Sequence, residues 1–222
     1  MSQNSILVLI RHGQSTYNEK NLFTGWKDVE LTSQGENEAH EVASLINKIT
    51  FTHAFTSKLK RARNTLNIIL NDLNQNIPIY ENIALNERDY GNLVGQNKLD
   101  ASQKYGKNQV QVWRRSFATP PPNGESLEMT AKRTIPYYKE KIEPMLNGDN
   151  NIIVSAHGNS IRSIIMYLHQ FNSEQILLTE VGWCEPWIYT FSKGKKINFE
   201  IMPRPNSKSK SNLPDFSKIP TE

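Results

Sequence analysis

The stretch from Ile6 to Ile10 joins five branched apolar residues without a break and then gives way to Arg11-His12-Gly13. An unbroken apolar run of this length is typical of a strand that is buried on both faces of a parallel sheet. Arginine and histidine are poor core residues, so we expect the strand to end where the sheet meets solvent. Ligands of open α/β sheets bind beyond the carboxyl ends of the strands. The first dozen residues therefore predict a cation and an imidazole at a ligand site, where Gly13 allows close backbone approach.

Strand and helix patterns alternate along the rest of the chain. Short apolar runs predict strands at 6–10, 51–56, 77–80, 151–156, 187–192 and 197–201. Apolar residues at helical spacing predict helices at 33–49, 57–73, 99–105, 109–117, 127–145 and 158–168. A capping box at Ser33 and Glu36 and the hydroxyl of Ser57 would start the first two helices, and Pro136 would kink the fifth. This alternation predicts a single three-layer α/β domain with a largely parallel central sheet flanked by helices.

Length and composition suit one domain followed by a tail. The chain has 222 residues, enough to bury a full core. From residue 202 onward it carries four prolines among Ser, Lys and Asn, a composition typical of a mobile end. We therefore expect a catalytic domain over 1–201 and a flexible tail over 202–222. Such a tail would either cover the pocket or only help to keep the chain in solution.

Charge and cysteine content narrow the class of protein. No apolar stretch approaches the ~20 residues needed to cross a bilayer, and the N-terminal run is too short for a signal peptide. The single cysteine, Cys184, excludes an intrachain disulfide. These features favour a cytoplasmic protein without a membrane partner. The net charge of +4 fits an anionic partner, but no nucleic-acid-binding motif accompanies it, so we expect no nucleic-acid partner.

Two of the predicted strands end in a His-Gly pair, at 12–13 and at 157–158. In a parallel sheet both ends lie on the same edge, so the two imidazoles can face one pocket. Arg11 adjoins the first pair, and Arg61 lies in the first turn of the helix after a neighbouring strand. The helix that follows the second pair offers free backbone N–H groups, which bind anions. Together these groups indicate a site for a dianion, most simply a phosphoryl group.

A metal site is the alternative interpretation of paired histidines. Catalytic zinc usually has three protein ligands, often in a tight local pattern such as His-Glu-x-x-His. The sequence contains no pattern of that kind, so we expect no metal. The remaining histidines, His40, His53 and His169, do not follow a predicted strand in this way and are expected to be structural.

The run Arg-His-Gly-Gln-Ser at 11–15 resembles the signature of the histidine phosphatase superfamily. A longer set of matches, from Leu7 to about Leu168, resembles its cofactor-dependent phosphoglycerate mutase branch. The matching segments are Asn18–Trp26, Thr56–Ala62, Leu85–Gly91, Lys98, Trp113–Arg115 and Ala156–Ser160. The arginine pair at 114–115, taken with Lys98 and the 85–91 segment, is the most specific part of the resemblance.

The resemblance implies a phosphoglycerate mutase that interconverts 2-phosphoglycerate and 3-phosphoglycerate through a phosphohistidine. It implies 2,3-bisphosphoglycerate as the priming phosphoryl donor, and no metal. His12 would attack phosphorus, and Glu87 would serve the substrate hydroxyl as general acid and base, for which we expect a raised pKa. Charge on the phosphoryl oxygens would be neutralised by Arg11, Arg61 and His157. The implied substrate-binding residues are Gly13, Ser15, Asn18, Thr24, Gly25, Arg88, Tyr90, Lys98, Arg114, Arg115, Gly158 and Asn159.

Two alternative functions remain. A histidine phosphatase acting on small phosphate esters would use the same centre, although it has less need of the second anionic grip offered by Lys98 and the pair at 114–115. A non-catalytic protein that binds a phosphate ligand is the other alternative, but it could dispense with either His12 or Glu87. Assembly into a homo-oligomer is left open by the sequence.

The chain departs from the family pattern in three places. Tyr17 stands where the family usually has Trp. The segment between Arg115 and Ser126 is shorter than in long family members. Bulky Trp183 and Glu185 occupy a region where the family tends to have small residues, so we expect the mouth of the pocket to differ.

Overall fold

A six-stranded sheet forms the centre of the molecule, whose computed structural model describes residues 4–205 and 207–215. The strands are β1 (Ser5–Arg11), β2 (His53–Thr56), β3 (Ile79–Glu81), β4 (Ile152–Ala156), β5 (Trp187–Ser192) and β6 (Lys195–Ile201). They lie in the order β3-β2-β4-β1-β5-β6. The first four in this order are parallel, whereas β5 and β6 run antiparallel to their neighbours. The prediction of a largely parallel sheet is confirmed.

The α-helices are α1 (Thr16–Glu19), α2 (Ser33–Leu45), α3 (Lys60–Asp72), α4 (Lys98–Tyr105), α5 (Lys107–Arg115), α6 (Leu127–Tyr137), α7 (Gly158–His169) and α8 (Ser173–Leu178). Short 3₁₀ turns lie at Ile83–Leu85, Gly91–Leu93 and Glu143–Leu146. Within the described ranges, none of these helices is both long and apolar enough to span a bilayer. The short helices α1 and α8 are absent from the sequence prediction.

Strand β1 separates two apolar cores. Leu7 and Leu9 pack with α6 and α7 on one side, whereas Val8 and Ile10 pack with α2 and α3 on the other. Successive side chains of a strand point to opposite faces, so an unbroken apolar run can fill both cores at once. All four side chains are fully buried. This arrangement confirms the predicted three-layer domain.

The first two long helices begin differently from the prediction. The hydroxyl that accepts the N–H of Gly35 and caps α2 belongs to Thr32, not to Ser33, because Thr32 is the last residue with extended backbone. Ser57 does not cap α3, which starts three residues later. Its hydroxyl is instead 2.7 Å from Nε2 of the His157 ring. Ser57, which the sequence predicted to be a helix cap, thus contacts His157 instead.

The helix predicted over 127–145 is three short pieces rather than one kinked rod. α6 ends at Tyr137, and a π-helical turn at Tyr138–Ile142 and a 3₁₀ turn follow it. Pro136 has no N–H and cannot donate the i to i−4 hydrogen bond, which weakens the regular helix at this point. The apolar face nevertheless stays continuous, because Tyr138 and Ile142 are fully buried against the sheet.

The C-terminal segment from residue 202 packs against the domain over its described residues, in contrast to the flexible tail predicted for 202–222. Arg204 is only 4% exposed and lies 3.1 Å from a carboxylate oxygen of Glu38 in α2. The hydroxyl of Ser211 accepts the indole N–H of Trp187 at 3.0 Å. The polar composition misled the prediction because these polar groups have partners inside the domain. The remaining residues of the predicted tail lie outside the described part of the chain.

The loop after β1 packs directly on the start of α2 through two glycines. A Cβ added at Gly13 would lie closer than 3.0 Å to the carbonyl oxygen of Gly35, and one added at Gly35 would lie as close to backbone atoms of Gln14. These contacts are with backbone, which cannot move aside as a side chain can. Gly13 therefore makes a close backbone approach to α2. It fixes the position of the neighbouring His12.

Gly13→Ala is expected to lower the free energy of unfolding by about 1–3 kcal/mol, the usual cost of forcing an extra methyl group into a packed interior. Urea denaturation measures this change. Gly148→Ala is the matched control, because no heavy atom lies within 4 Å of the added Cβ. Equal stability of the Gly13 variant and the wild type would show that the loop and α2 can move apart freely.

Candidate active site

The buried imidazole of His12 lies just beyond β1, and its two neighbours assign its tautomer. Nδ1 is 2.7 Å from the carbonyl oxygen of Gly13, which can only accept a hydrogen bond, so Nδ1 carries the proton. Nε2 lies 3.2 Å from Nε of Arg61, which can only donate. The lone pair of His12 is therefore on Nε2, which makes Nε2 the nucleophilic atom.

Both histidines are held in the neutral form. Burial lowers the pKa of His12 well below its usual value, and the Arg61 and Arg11 cations lower it further, against a smaller opposing effect of the Gly13 carbonyl. The pKa of His157 is lowered for the same reasons, first by burial and then by Arg61. The two ring centroids are 5.0 Å apart. The structure thus brings together, at the predicted sheet edge, two imidazoles that stay uncharged near pH 7.

Ser57 orients the second imidazole. Its hydroxyl is 2.7 Å from Nε2 of His157 and also accepts the N–H of Leu59 at 3.1 Å. Among the described residues, Nδ1 of His157 has no hydrogen-bond partner although it is buried. The sequence signal that could have identified Ser57 is its place directly after β2, beside the end of β4.

Two buried arginines face the histidines without a carboxylate partner. Arg61 donates from Nη2 to the carbonyl oxygen of Gly25 at 2.9 Å, and burial lowers its pKa to about 10, so it remains a cation at pH 7. Arg11 donates from Nη1 to the carbonyl oxygen of Val181 at 2.9 Å, and its guanidinium carbon lies 5.6 Å from the ring centre of Trp183. Neither arginine forms an ion pair in the described part of the chain. Desolvated cations held only by neutral dipoles favour an anionic ligand.

Glu87 presents one carboxylate oxygen and anchors the other. Oε1 accepts three hydrogen bonds, from the backbone N–H of Arg88 at 2.8 Å, the backbone N–H of Asn159 at 3.1 Å and Nδ2 of Asn159 at 2.8 Å. No described residue donates a hydrogen bond to Oε2, which lies on the side of Gly158. Oε2 is therefore the oxygen that can exchange a proton with a substrate.

The pKa of Glu87 is lowered, which contradicts the expectation of a raised value. Burial acts to raise this pKa, but the Arg11 cation, the hydrogen bonds from Asn159 and Arg88, and the Arg61 cation together outweigh it. The expectation considered the carboxylate apart from the cations that surround it. Glu87 is thus ionised in the free protein and is first of all a proton acceptor.

These groups surround a cavity that consists of two adjoining hollows of about 80 and 210 Å³, small enough to indicate a ligand below drug size. The inner hollow is lined by His12, Asn18, Leu22, Phe23, Thr24, Gly25 and Arg61. The outer hollow is lined by Arg114, Arg115, Gly158, Asn159, Arg162, Glu180 and Val181. Both hollows share Arg11, Glu87, Tyr90 and Lys98. The sequence analysis did not identify Arg162, Glu180 or the carbonyl of Val181 as parts of the site.

Three of the predicted ligand-binding residues support the walls instead of lining them. Gly13 packs on α2, as described above. Ser15 is the N-cap of α1 and shares a hydrogen-bonded capping box with Asn18. Arg88 is buried behind Tyr90, where its Nη2 lies 3.0 Å from the phenol oxygen and its guanidinium carbon 4.6 Å from the ring centre. These residues position neighbours that do face the cavity.

The outer hollow is strongly cationic. Burial is the largest influence on Lys98 and Arg114 and lowers the pKa of each side chain. Arg115 forms an ion pair with Glu180, and both of these side chains are more than 40% exposed. An exposed pair of this kind contributes little to stability and can be exchanged for a ligand. The outer hollow is therefore suited to a second anionic group.

Arg133 of α6 holds the Glu87 loop in place. Its guanidinium donates to the carbonyl oxygens of Ala84 at 2.9 Å, Asn86 at 3.1 Å and Glu87 at 2.9 Å. It also forms an ion pair with Glu125 at 2.8 Å. Nothing in the sequence distinguishes this arginine from others on a helix surface, so its contribution was not predicted.

Several buried polar atoms around the cavity have no hydrogen-bond partner among the described residues. They include Nε of Arg11, Nε of Arg88, Nδ1 of His157 and Nη1 of Arg162. Each buried donor left unsatisfied costs about 1–3 kcal/mol. A ligand rich in anionic oxygens would satisfy Nε of Arg11, a residue that lines both hollows. Over residues 4–205 and 207–215, no group of three His, Cys, Asp or Glu side chains forms a candidate metal site.

Comparison with solved structures supports the fold. The α-ribazole phosphatase from Shigella flexneri superimposes with a TM-score of 0.76 at 22% identity, covering 89% of this chain and 95% of that one. A phosphoglycerate mutase from Bacillus anthracis superimposes with a TM-score of 0.73 at 21% identity, covering 88% and 92%. At these identities the likeness concerns the fold alone, which phosphatases and mutases share.

Sequence comparison reaches further. This chain is 51% identical over 193 residues to the 2,3-bisphosphoglycerate-dependent phosphoglycerate mutase of Cytophaga hutchinsonii, and the match covers 87% of this chain and 91% of the relative. The family model for the histidine phosphatase superfamily (branch 1) matches residues 7–198, which include both histidines and Glu87. On this match over most of its length, the chain belongs to branch 1 of the histidine phosphatase superfamily.

Proposed function

We propose that this chain is a 2,3-bisphosphoglycerate-dependent phosphoglycerate mutase that interconverts 2-phosphoglycerate and 3-phosphoglycerate. The observation that carries the proposal is the two-part cavity, in which a neutral nucleophile and a separate cationic cluster lie on either side of one carboxylate. The name of the 51% identical relative supports it. The proposal includes a cytoplasmic location, because phosphoglycerates are intermediates of glycolysis.

The inner hollow provides the phosphoryl-transfer centre. Nε2 of His12 would leave Arg61 and form a bond to phosphorus while the bond between phosphorus and the substrate oxygen breaks. Arg11 and Arg61 would neutralise the oxygens of the transferring group, and His157, whose ring centroid is 5.0 Å from that of His12, would support them. Because His12 is neutral, no proton has to be removed before attack. The Gly13 carbonyl stabilises positive charge that develops on the ring.

Glu87 would move the proton in both halves of the reaction. With His12 phosphorylated, the free hydroxyl of the substrate attacks phosphorus and gives its proton to Oε2 of the ionised carboxylate. The other phosphoryl group then passes to His12, and Oε2 returns the proton to the oxygen that leaves. The lowered pKa of Glu87 in the free protein suits the first of these steps. The dianion, once bound beside Arg11 and Arg61, offsets their charge and favours the protonated form needed for the second.

The priming donor fits the residues present. 2,3-Bisphosphoglycerate would supply the phosphoryl group that first loads His12. Its second phosphate and its carboxylate would be held by Lys98, Arg114 and Arg115. All three cations line the outer hollow, so more than one of them can bind the same anionic group. A substrate held in this way can turn so that either of its oxygens faces His12.

A histidine phosphatase remains the alternative within this family. Water in place of the substrate hydroxyl would release phosphate from the same phosphohistidine. The fold is shared with phosphatases and does not decide between the two activities. The cationic outer hollow favours the mutase, because a hydrolase gains little from a firm grip on a second anionic group.

His12→Ala is expected to abolish covalent labelling, because the nucleophilic Nε2 is lost. Incubation with bisphosphoglycerate that carries a radioactive phosphoryl group should label the wild type with an acid-labile, base-stable group. His40→Ala is the matched control, because His40 is exposed, pairs with Asp72 and lines neither hollow of the cavity. This variant should label normally. Labelling of the His12 variant at the wild-type level would contradict the proposed nucleophile.

The double replacement Arg114→Ala/Arg115→Ala is expected to separate mutase from phosphatase activity. The change removes the grip on the distal anion but leaves the His12 centre intact, so mutase turnover should fall at least tenfold more than hydrolysis of p-nitrophenyl phosphate, within the range for charged contacts. The measurement compares both rates in one preparation. Lys107→Ala, at the other end of α5, is the control and should change neither rate. Equal loss of both activities would mean that the pair has only a structural role.

A further inference from the structure

Arg162 lies one helical turn after Asn159 in α7, on the same face of the helix. Its Nη2 donates to Oδ1 of Asn159 at 2.5 Å. Nδ2 of the same amide donates to Oε1 of Glu87 at 2.8 Å. A chain of two hydrogen bonds therefore connects a buried guanidinium to the carboxylate that faces the cavity.

This connection determines which way the Asn159 amide points. A guanidinium can only donate, so it selects the amide oxygen and turns the amide N–H groups toward Glu87. The flipped amide would place its oxygen against an ionised carboxylate and its N–H groups against a cation, which is unfavourable at both ends. Arg162 thus ensures that Glu87 receives a donor from this side chain and not a repelling oxygen.

The surroundings of Arg162 indicate that it does more than pack. The residue is only 7% exposed, and no described carboxylate forms an ion pair with it. Burial lowers the pKa of Arg162, and the cations Arg88 and Arg115 lower it further, against the opposing effects of Glu180 and Tyr90. Its Nη1 is buried and has no partner. A buried cation that forms no ion pair weakens the fold, and residues of this kind concentrate at functional sites.

We propose that Arg162 is a positioning residue for Glu87. It acts through Asn159, which anchors Oε1 and leaves Oε2 directed at the cavity for proton exchange with the oxygen of the substrate. The proton passes between that oxygen and Oε2 as the bond from the same oxygen to phosphorus forms or breaks, and Arg162 itself exchanges no proton. The inference rests on the proposed function in that it assigns proton transfer to Glu87.

Arg162→Met tests this role through the leaving group. An alcohol oxygen must receive a proton as it leaves phosphorus, whereas p-nitrophenolate leaves without one. We expect turnover of 3-phosphoglycerate to fall about tenfold or more, within the coupling range of contacting residues. The rate of the p-nitrophenolate burst that accompanies phosphorylation of His12 should change by less than about twofold, because this step needs no proton from Glu87. Glu87→Gln should show the same selectivity with a larger loss, and Arg63→Met, on the outer surface of α3, should change neither rate.

A double-mutant cycle tests whether Asn159 carries the effect. Once Asn159→Ala has removed the amide, adding Arg162→Met should leave the ratio of the two rates unchanged. A further multiplicative loss, or a loss seen mainly as a raised KM for 3-phosphoglycerate, would overturn the proposal and make Arg162 a direct substrate contact. An equal fall of both rates in the single variant would also overturn it, because a merely structural role affects every substrate alike.

A negative result for Arg162 can be distinguished from absence of mutase activity in the wild type. If the wild type does not interconvert phosphoglycerates but hydrolyses phosphate esters, glycerol 2-phosphate takes the place of 3-phosphoglycerate as the alkyl ester. The ratio of its rate to that of p-nitrophenyl phosphate then tests Arg162 independently of the mutase reaction. An Arg162→Met variant with unchanged ratios for both alkyl substrates would contradict the positioning role.

Discussion

The hydrogen bond from Nε of Arg61 to Nε2 of His12 is the interaction on which the site depends. It places a buried cation against the lone pair of a neutral imidazole, at 3.2 Å. The loop after β1 can hold this geometry because Gly13 and Gly35 let backbone pack on backbone. Arg61 and Arg11 donate their other hydrogen bonds to backbone carbonyls and not to acids. Neither cation is therefore neutralised by a direct ion pair, and both remain available to a dianion.

The carboxylate opposite this centre is held by two arginines that do not touch the reacting atoms. Arg133 fixes the backbone of the Glu87 loop, and Arg162 orients the amide that fixes one carboxylate oxygen. The Arg11 and Arg61 cations and the hydrogen bonds from Asn159 and the Arg88 N–H lower the pKa of Glu87 despite its burial. An ionised carboxylate beside a neutral histidine suits a reaction that begins with removal of a proton from a hydroxyl. Bound phosphate offsets the charge of the arginines and favours the protonated form of Glu87, which suits the return of the proton.

Much of this arrangement could be predicted from the sequence, because strand ends are easy to locate. His12 and His157 lie at the ends of apolar strand patterns, and a parallel sheet brings such ends to one edge. The roles of Glu87 and Lys98 were predicted from the family resemblance and not from the periodicity of the sequence. The sequence could not identify Arg133 or Arg162, because each acts on a group that only tertiary packing places beside it. The packing of the C-terminal segment was not predicted for the same reason, since Arg204 pairs with Glu38 in a helix far away in the sequence.

The central claim is that this chain moves a phosphoryl group between two hydroxyls of one three-carbon acid. Phosphorus NMR of the wild-type protein with 3-phosphoglycerate and a trace of 2,3-bisphosphoglycerate tests it most directly, because it resolves all the products in one sample. The account predicts that 2-phosphoglycerate rises to a steady ratio with 3-phosphoglycerate well before inorganic phosphate appears. Inorganic phosphate as the first product, without 2-phosphoglycerate, would contradict it.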